Sequence, residues 1–177
     1  MTSRTTWLQL PCQRTISQIQ VISVNTTEVK ETHMNVILAI HPKWAEKIFS
    51  GEKTIEFRKS FPQIYYPRMK IFLYETVAVH RVTGYFLWAG TKRFQDVDWT
   101  KADERQRKIL EEGCIAAEDL NAYQEPRKHL CAWGVERPKK FDTPKTLQNF
   151  GIDTAPQSWV YTKFDFDDIS KQLVEHN

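Results

Sequence analysis

Lys53, Glu56 and Arg58 lie within six residues of one another in the segment Gly51-Glu52-Lys53-Thr54-Ile55-Glu56-Phe57-Arg58-Lys59. Lysine is a flexible cation that meets phosphate or polarises a carbonyl. A carboxylate accepts from the exocyclic amine of a base or serves as a general base. A guanidinium forks onto phosphate or a base edge. Together they suit a polar or anionic ligand. The plainer alternatives are a solvated lysine beside a glycine turn and a Glu56–Arg58 ion pair that fastens a strand. An ion pair is compatible with a site, since it also positions each partner. Lys59 points opposite Arg58 and reads as a rim contact or a solvated side chain.

The elements that must hold these residues follow from periodicity. Val36 to Ile40 is a continuous apolar run, as for a strand buried on both faces. Pro42 suits the first turn of a helix. Trp44, Ala45, Ile48 and Phe49 share one helical face; Lys43, Glu46, Lys47 and Ser50 share the other. Gly51 is placed to end that helix in the left-handed conformation. From Thr54 the period becomes two, which puts Ile55 and Phe57 on one face and Glu56 and Arg58 on the other. Further strands are expected at 69–74, 82–88 (with Gly84 at a bulge) and 130–135. A basic turn at Pro138 and a long connection from Phe141 to Ala155 should follow, before a last strand entered through Pro156-Gln157-Ser158-Trp159. Helices are expected at 101–112, 116–123 and, in the acidic tail, 166–174. The chain then divides into a poorly anchored extension (1–33), a working domain (34–163) and a short acidic tail (164–177).

The 177 residues are 41% hydrophobic and 12% aromatic, enough to bury a core in one domain. The net charge of +3 is unevenly spread: residues 1–33 carry +1 and 164–177 carry −3, leaving about +5 on the middle. A basic body is compatible with an anionic partner, or with nothing more than a solvated basic surface. Three dispersed cysteines without a CxxC pair, and five scattered histidines, indicate neither a disulfide framework nor a metal site. No apolar run approaches membrane-spanning length, and the N-terminus has no basic region followed by an apolar stretch, so a cytoplasmic protein is expected. Phosphate-loop, nucleophile-elbow and HExxH motifs are absent. Ser158 and Cys131 have no evident histidine partner, so no nucleophilic triad is supported, and no cofactor is called for.

Ile40-His41-Pro42-Lys43-Trp44 followed by the segment 51–59 resembles the opening of an ASCH domain, with its hallmark G-x-K-x-x-E-x-R on Gly51, Lys53, Glu56 and Arg58. Cys131-Ala132-Trp133 through Pro144 to Trp159 resembles the phage and bacterial members. The likeness runs from about Met34 to Tyr161. It implies an α+β fold: a small PUA-like β-barrel of five to six strands with helices inserted at its mouth. It also implies a cleft beside the hallmark that binds RNA or a nucleotide. Lys53, Glu56, Arg58 and Lys59 would serve it, with Trp159 stacking on a base. Ser158 beside it, and Tyr74 at a strand end, would line the same mouth. Trp44 and Trp133 read as core.

The resemblance leaves two enzymatic alternatives. One is an amidohydrolase acting on N4-acetylcytidine. Such members use a lysine, a threonine and a glutamate; Lys53 stands at the lysine position, but Glu56 stands where the threonine is expected. The other is a metal-independent ribonuclease with Glu56 as base and Lys53 stabilising the phosphorane. RNA or a nucleoside is the expected partner, with neither membrane nor metal.

Overall fold

The computed structural model describes residues 34–166. The expected extension at 1–33, and all of the tail helix beyond Phe166, lie outside the described residues. Six strands form one mixed sheet: β1 (Asn35–Ile40), β2 (Ile55–Arg58), β3 (Lys70–Glu75), β4 (Arg81–Gln95), β5 (His129–Lys145) and β6 (Trp159–Thr162). Their order is β2-β5-β4-β3-β1-β6, with β1 and β3 parallel and the other neighbours antiparallel. Three helices accompany the sheet: α1 (Pro42–Phe49), α2 (Glu104–Glu112) and α3 (Ala117–Gln124). The α+β class therefore stands. The sheet is open, with β2 and β6 at its edges, so the barrel is only approximated.

The sheet curls until its distant strands meet through side chains. Arg58 on β2 donates from Nη2 to the Ala39 carbonyl on β1 at 2.7 Å, although three strands separate these two in the sheet order. Trp159 on β6 donates from Nε1 to Ser60 Oγ, just past β2, at 3.0 Å. Strand twist accumulates across a sheet. Here it brings the two ends together, and polar side chains make the closure that a backbone ladder makes in a true barrel.

β1 is buried along its whole length, as its apolar run requires. Val36, Leu38 and Ile40 face a core with Ile48 of α1, Ile71, Phe86 and Trp133. Ile37 and Ala39 face a second core with Phe72, Tyr74, Tyr85 and Phe150. A third, on the far side of β2, gathers Ile55, Phe57, Trp99, Leu110, Leu120 and Leu130. Alternation along β2 thus works as its sequence predicts, but its polar face is buried too.

β5 corrects the expectation of a turn at Pro138 and a free connection from Phe141. It continues to Lys145, paired with a β4 that itself continues to Gln95. The ladder shifts register between Leu87↔Glu136 and Tyr85↔Lys139. Arg137, at φ 47°, and Pro138 sit in that bulge, where a proline's missing N–H leaves no ladder bond unmade. Gly84 also stands at a register shift. A Cβ there would press on the Lys139 carbonyl oxygen and lie 2.7 Å from the Phe49 ring.

Candidate binding cleft

Lys53 reaches the cleft because the helix before it stops sharply. His41 caps α1, its Nδ1 accepting from Lys43 N at 3.2 Å. Gly51 takes φ 81°, a left-handed conformation that costs a side-chain-bearing residue energy. The chain then folds back, Lys53 N bonding to Lys47 O at 2.8 Å, and Thr54 N is held by the Glu112 carbonyl at the end of α2. Lys53 Nζ donates to Gly113 O at 2.5 Å and lies 3.4 Å from Glu56 Oε2. Arg58 Nη2 lies 2.8 Å from the other oxygen, Glu56 Oε1. The three side chains are 4%, 7% and 13% exposed respectively.

Two buried cations around one carboxylate leave a net charge of about +1 in a site of low dielectric. Burial accordingly lowers the pKa of Lys53, with the Glu56 charge working against that shift. The Gly113 carbonyl caps α2, so the ammonium also meets the negative end of a helix. Arg58 Nε is buried and has no hydrogen-bond partner among the described residues. An orphaned buried donor of this kind is costly unless something completes it.

These groups form the floor of a cleft of about 250 Å³. Trp44, Phe57, Ile115 and Tyr123 supply apolar and aromatic wall; His41, Thr76 and Gln157 supply polar rim. Lys53 Nζ lies 5.2 Å from the Trp44 ring centroid and 5.7 Å from that of Phe57. Burial raises the pKa of the Tyr123 phenol, and the Arg58 charge opposes the rise.

The structure brings together Lys53, Glu56 and Arg58. Lys59 stands apart from the floor, donating to Glu125 O at 2.8 Å with its ammonium 5.3 Å from the Tyr123 ring. Trp159 and Ser158 are not among the residues lining the cleft. The Trp159 indole is committed to Ser60 and packs on Tyr161 and the first core, while the Ser158 carbonyl accepts from Ala39 N at 2.8 Å. Their neighbour Gln157 is the residue that reaches the rim. Tyr74 points into the second core, because alternation on β3 sets it opposite Leu73. Trp44 packs on the first core and also forms cleft wall, a double role that helical periodicity does not separate. Gly113, Ile115 and Tyr123 were not identified from sequence. Gly113 carried a signal, a glycine closing a charged helix; Ile115 and Tyr123 carried none, as they arrive from 62 or more positions downstream of Lys53.

Among the described residues no three His, Cys, Asp or Glu side chains are grouped to hold a metal ion, and no helix is long and apolar enough to cross a membrane. The family model for the ASCH domain matches residues 38–145. Among solved structures, the fold is similar to ASCH from Zymomonas mobilis, at TM-score 0.61 and 19% identity over 79% of this chain and 94% of that one. A tyrosine-to-phenylalanine mutant of that protein gives TM-score 0.60 at 19% identity, covering 79% and 96%. Its serine-to-alanine mutant gives 0.60 at 19%, covering 80% and 95%. No curated protein matches the chain significantly.

Proposed function

The chain belongs to the ASCH domain family, and from that premise we propose that its cleft binds RNA or a modified nucleoside. One observation carries this reading: Lys53, Glu56 and Arg58 are all nearly buried, yet face a cavity with aromatic walls and an uncompensated positive charge. A fastening ion pair needs one cation for one carboxylate. The second cation leaves the floor with an excess positive charge that an external acceptor would balance. A nucleotide supplies a flat ring for the walls, polar edges for the floor and phosphate for the positive field.

Binding to single-stranded RNA should weaken linearly in log Kd against log salt, through release of counterions. Replacing both Lys53 and Arg58 by alanine should abolish most of the affinity in the folded protein. Unchanged affinity in that double variant refutes the cleft assignment.

The nearly closed pairing of Lys53 with the Glu56 carboxylate 3.4 Å away favours a second reading, an amidohydrolase. Glu56 would take a proton from water attacking the acetyl carbonyl of N4-acetylcytidine while Lys53 polarises that carbonyl. Release of cytidine and acetate, lost in Lys53→Ala, supports it. RNA cleavage in the presence of a chelator, lost in the same variant, would instead indicate the ribonuclease. Binding without either product leaves the binding reading alone.

A further inference from the structure

We propose that the cleft takes a nucleotide from within a single strand, not a free nucleoside, and that Lys43 and Lys59 hold the phosphates on its two sides. The inference rests on the nucleic-acid reading of this cleft and names its substrate class.

The placing of cations on the two aromatic walls carries it. Trp44 of α1 lies 5.2 Å from the buried Lys53 ammonium and 4.5 Å from that of Lys43, an exposed residue. Tyr123 of α3 feels the charge of Arg58 on the floor and lies 5.3 Å from Lys59 Nζ. Each wall therefore has an inner cation at the floor and an outer one toward solvent. The inner pair is committed: Lys53 donates to Gly113 O, Arg58 to Ala39 O, and both share Glu56. The outer pair has no carboxylate partner among the described residues. Several lysines elsewhere on the surface do: Lys47 pairs with Glu52, Lys101 with Asp98, Lys128 with Asp96 and Lys140 with Glu46. Lys59 is also set in place, donating to the Glu125 carbonyl just past α3 at 2.8 Å.

A free nucleoside is neutral and would leave both outer ammoniums to water. The cavity of about 250 Å³ has room for one base and little more, so the sugar lies at the mouth. A nucleotide inside a strand carries one phosphate on the 5′ side of that sugar and another on the 3′ side. Those two anions leave the mouth past the two walls, where Lys43 and Lys59 stand. Lysine suits this task, being a point charge on a flexible four-carbon stem that needs no fixed angle to phosphate. Aromatic rings for the base and cations along the backbone are the means by which single strands are held. A base still paired in a duplex cannot reach a floor buried this deeply.

The test is calorimetric titration of the intact protein at low, fixed salt with uridine, cytidine, adenosine and guanosine, each as nucleoside, 5′-monophosphate and 3′,5′-bisphosphate. For the base that binds best, each phosphate should tighten binding roughly two- to fivefold, the usual worth of an exposed ion pair. Lys43→Ala should cancel the gain from one phosphate and Lys59→Ala the gain from the other, while Lys43→Arg and Lys59→Arg keep both. The gains are ratios within one variant, so any loosening of α3 by loss of the Glu125 contact divides out. Lys108→Ala, on the exposed side of α2, removes the same charge and should leave both gains intact. With a trinucleotide of that base, each of the two alanine variants should lower the slope of log K against log salt by about 0.7. Ribose and deoxyribose trinucleotides tell RNA from DNA, and either result supports the proposal. A bisphosphate that binds no tighter than its nucleoside, or gains that survive both alanine variants, overturns the phosphate contacts and leaves the nucleoside site standing. Failure of every nucleotide and trinucleotide to bind overturns both.

Discussion

Replacing Glu56 by glutamine removes the only carboxylate between two buried cations and keeps the shape of the side chain. At an effective dielectric near 20, the Arg58 contact at 2.8 Å and the Lys53 contact at 3.4 Å are worth about 6 and 5 kcal/mol of Coulomb attraction. Much of that only offsets the cost of burying the carboxylate, several kcal/mol, which the substitution returns. The expected net loss is ~3–5 kcal/mol, typical of breaking a buried pair from one side. For a domain of this size that is a fall of roughly 10–20 °C in Tm. The loss should have a signature that mere misfit lacks. Without Glu56, the Lys53 ammonium is opposed only by burial and by Arg58, so Glu56→Gln should recover stability as pH rises and Lys53 gives up its proton. Adding Lys53→Met should restore part of the loss, with a coupling of about 1–3 kcal/mol. Urea unfolding of the single and double variants at pH 7 and pH 9.5 measures all of this. A loss below ~1 kcal/mol, flat in pH and unaffected by Lys53→Met, would falsify the buried three-charge floor.

Further outcomes follow from particular contacts. In the wild type Lys53 has a folded-state pKa below its ordinary value of 10.5. Between the folded and unfolded pKa values the unfolded chain holds more protons, so stability should rise with pH across that window. Lys53→Met should flatten this rise in thermal melts, and wild-type RNA affinity should fall over the same window as the cation is lost. Gly84→Ala should cost about 1–3 kcal/mol or more by overpacking, since its Cβ meets the backbone of Lys139 and the ring of Phe49; a melt unchanged within 2 °C would exclude that close approach. Gln124 holds Val97 O through Nε2 at 2.7 Å and accepts from Trp99 Nε1 at 3.2 Å, tying α3 to the segment that follows β4. Gln124→Leu should cost about 1–3 kcal/mol for each partner left unpaired, read by urea unfolding, and faster amide exchange should be confined to α3 and residues 97–101.

Periodicity carried a good deal. The apolar run of β1, the proline-initiated helix α1, the glycine stop at Gly51 and the alternation of β2 are local patterns, and each is set by the conformation of neighbouring residues. That is why the division of Ile55 and Phe57 from Glu56 and Arg58 was legible. The extent of β5 was not: Pro138 reads locally as a stop, and only a paired β4 with a bulge opposite makes it tolerable in a strand.

The cleft divides along the same line. Sequence determined which charges this protein carries at one helix–strand junction and that Glu56 and Arg58 share a face. Local geometry also made Trp159 an attractive stacking residue, but its indole reaches Ser60 across the curl of the sheet. Only the tertiary structure decided that Lys53 would be buried against the end of α2, that Arg58 would bridge to β1, and that Tyr123 would close the wall. These are contacts between positions far apart in the chain. They arise from sheet twist and from burial of three separate apolar faces, which no short-range pattern encodes. The charged junction was written in the residues; its depth, its excess positive charge and its unsatisfied donor come from the fold.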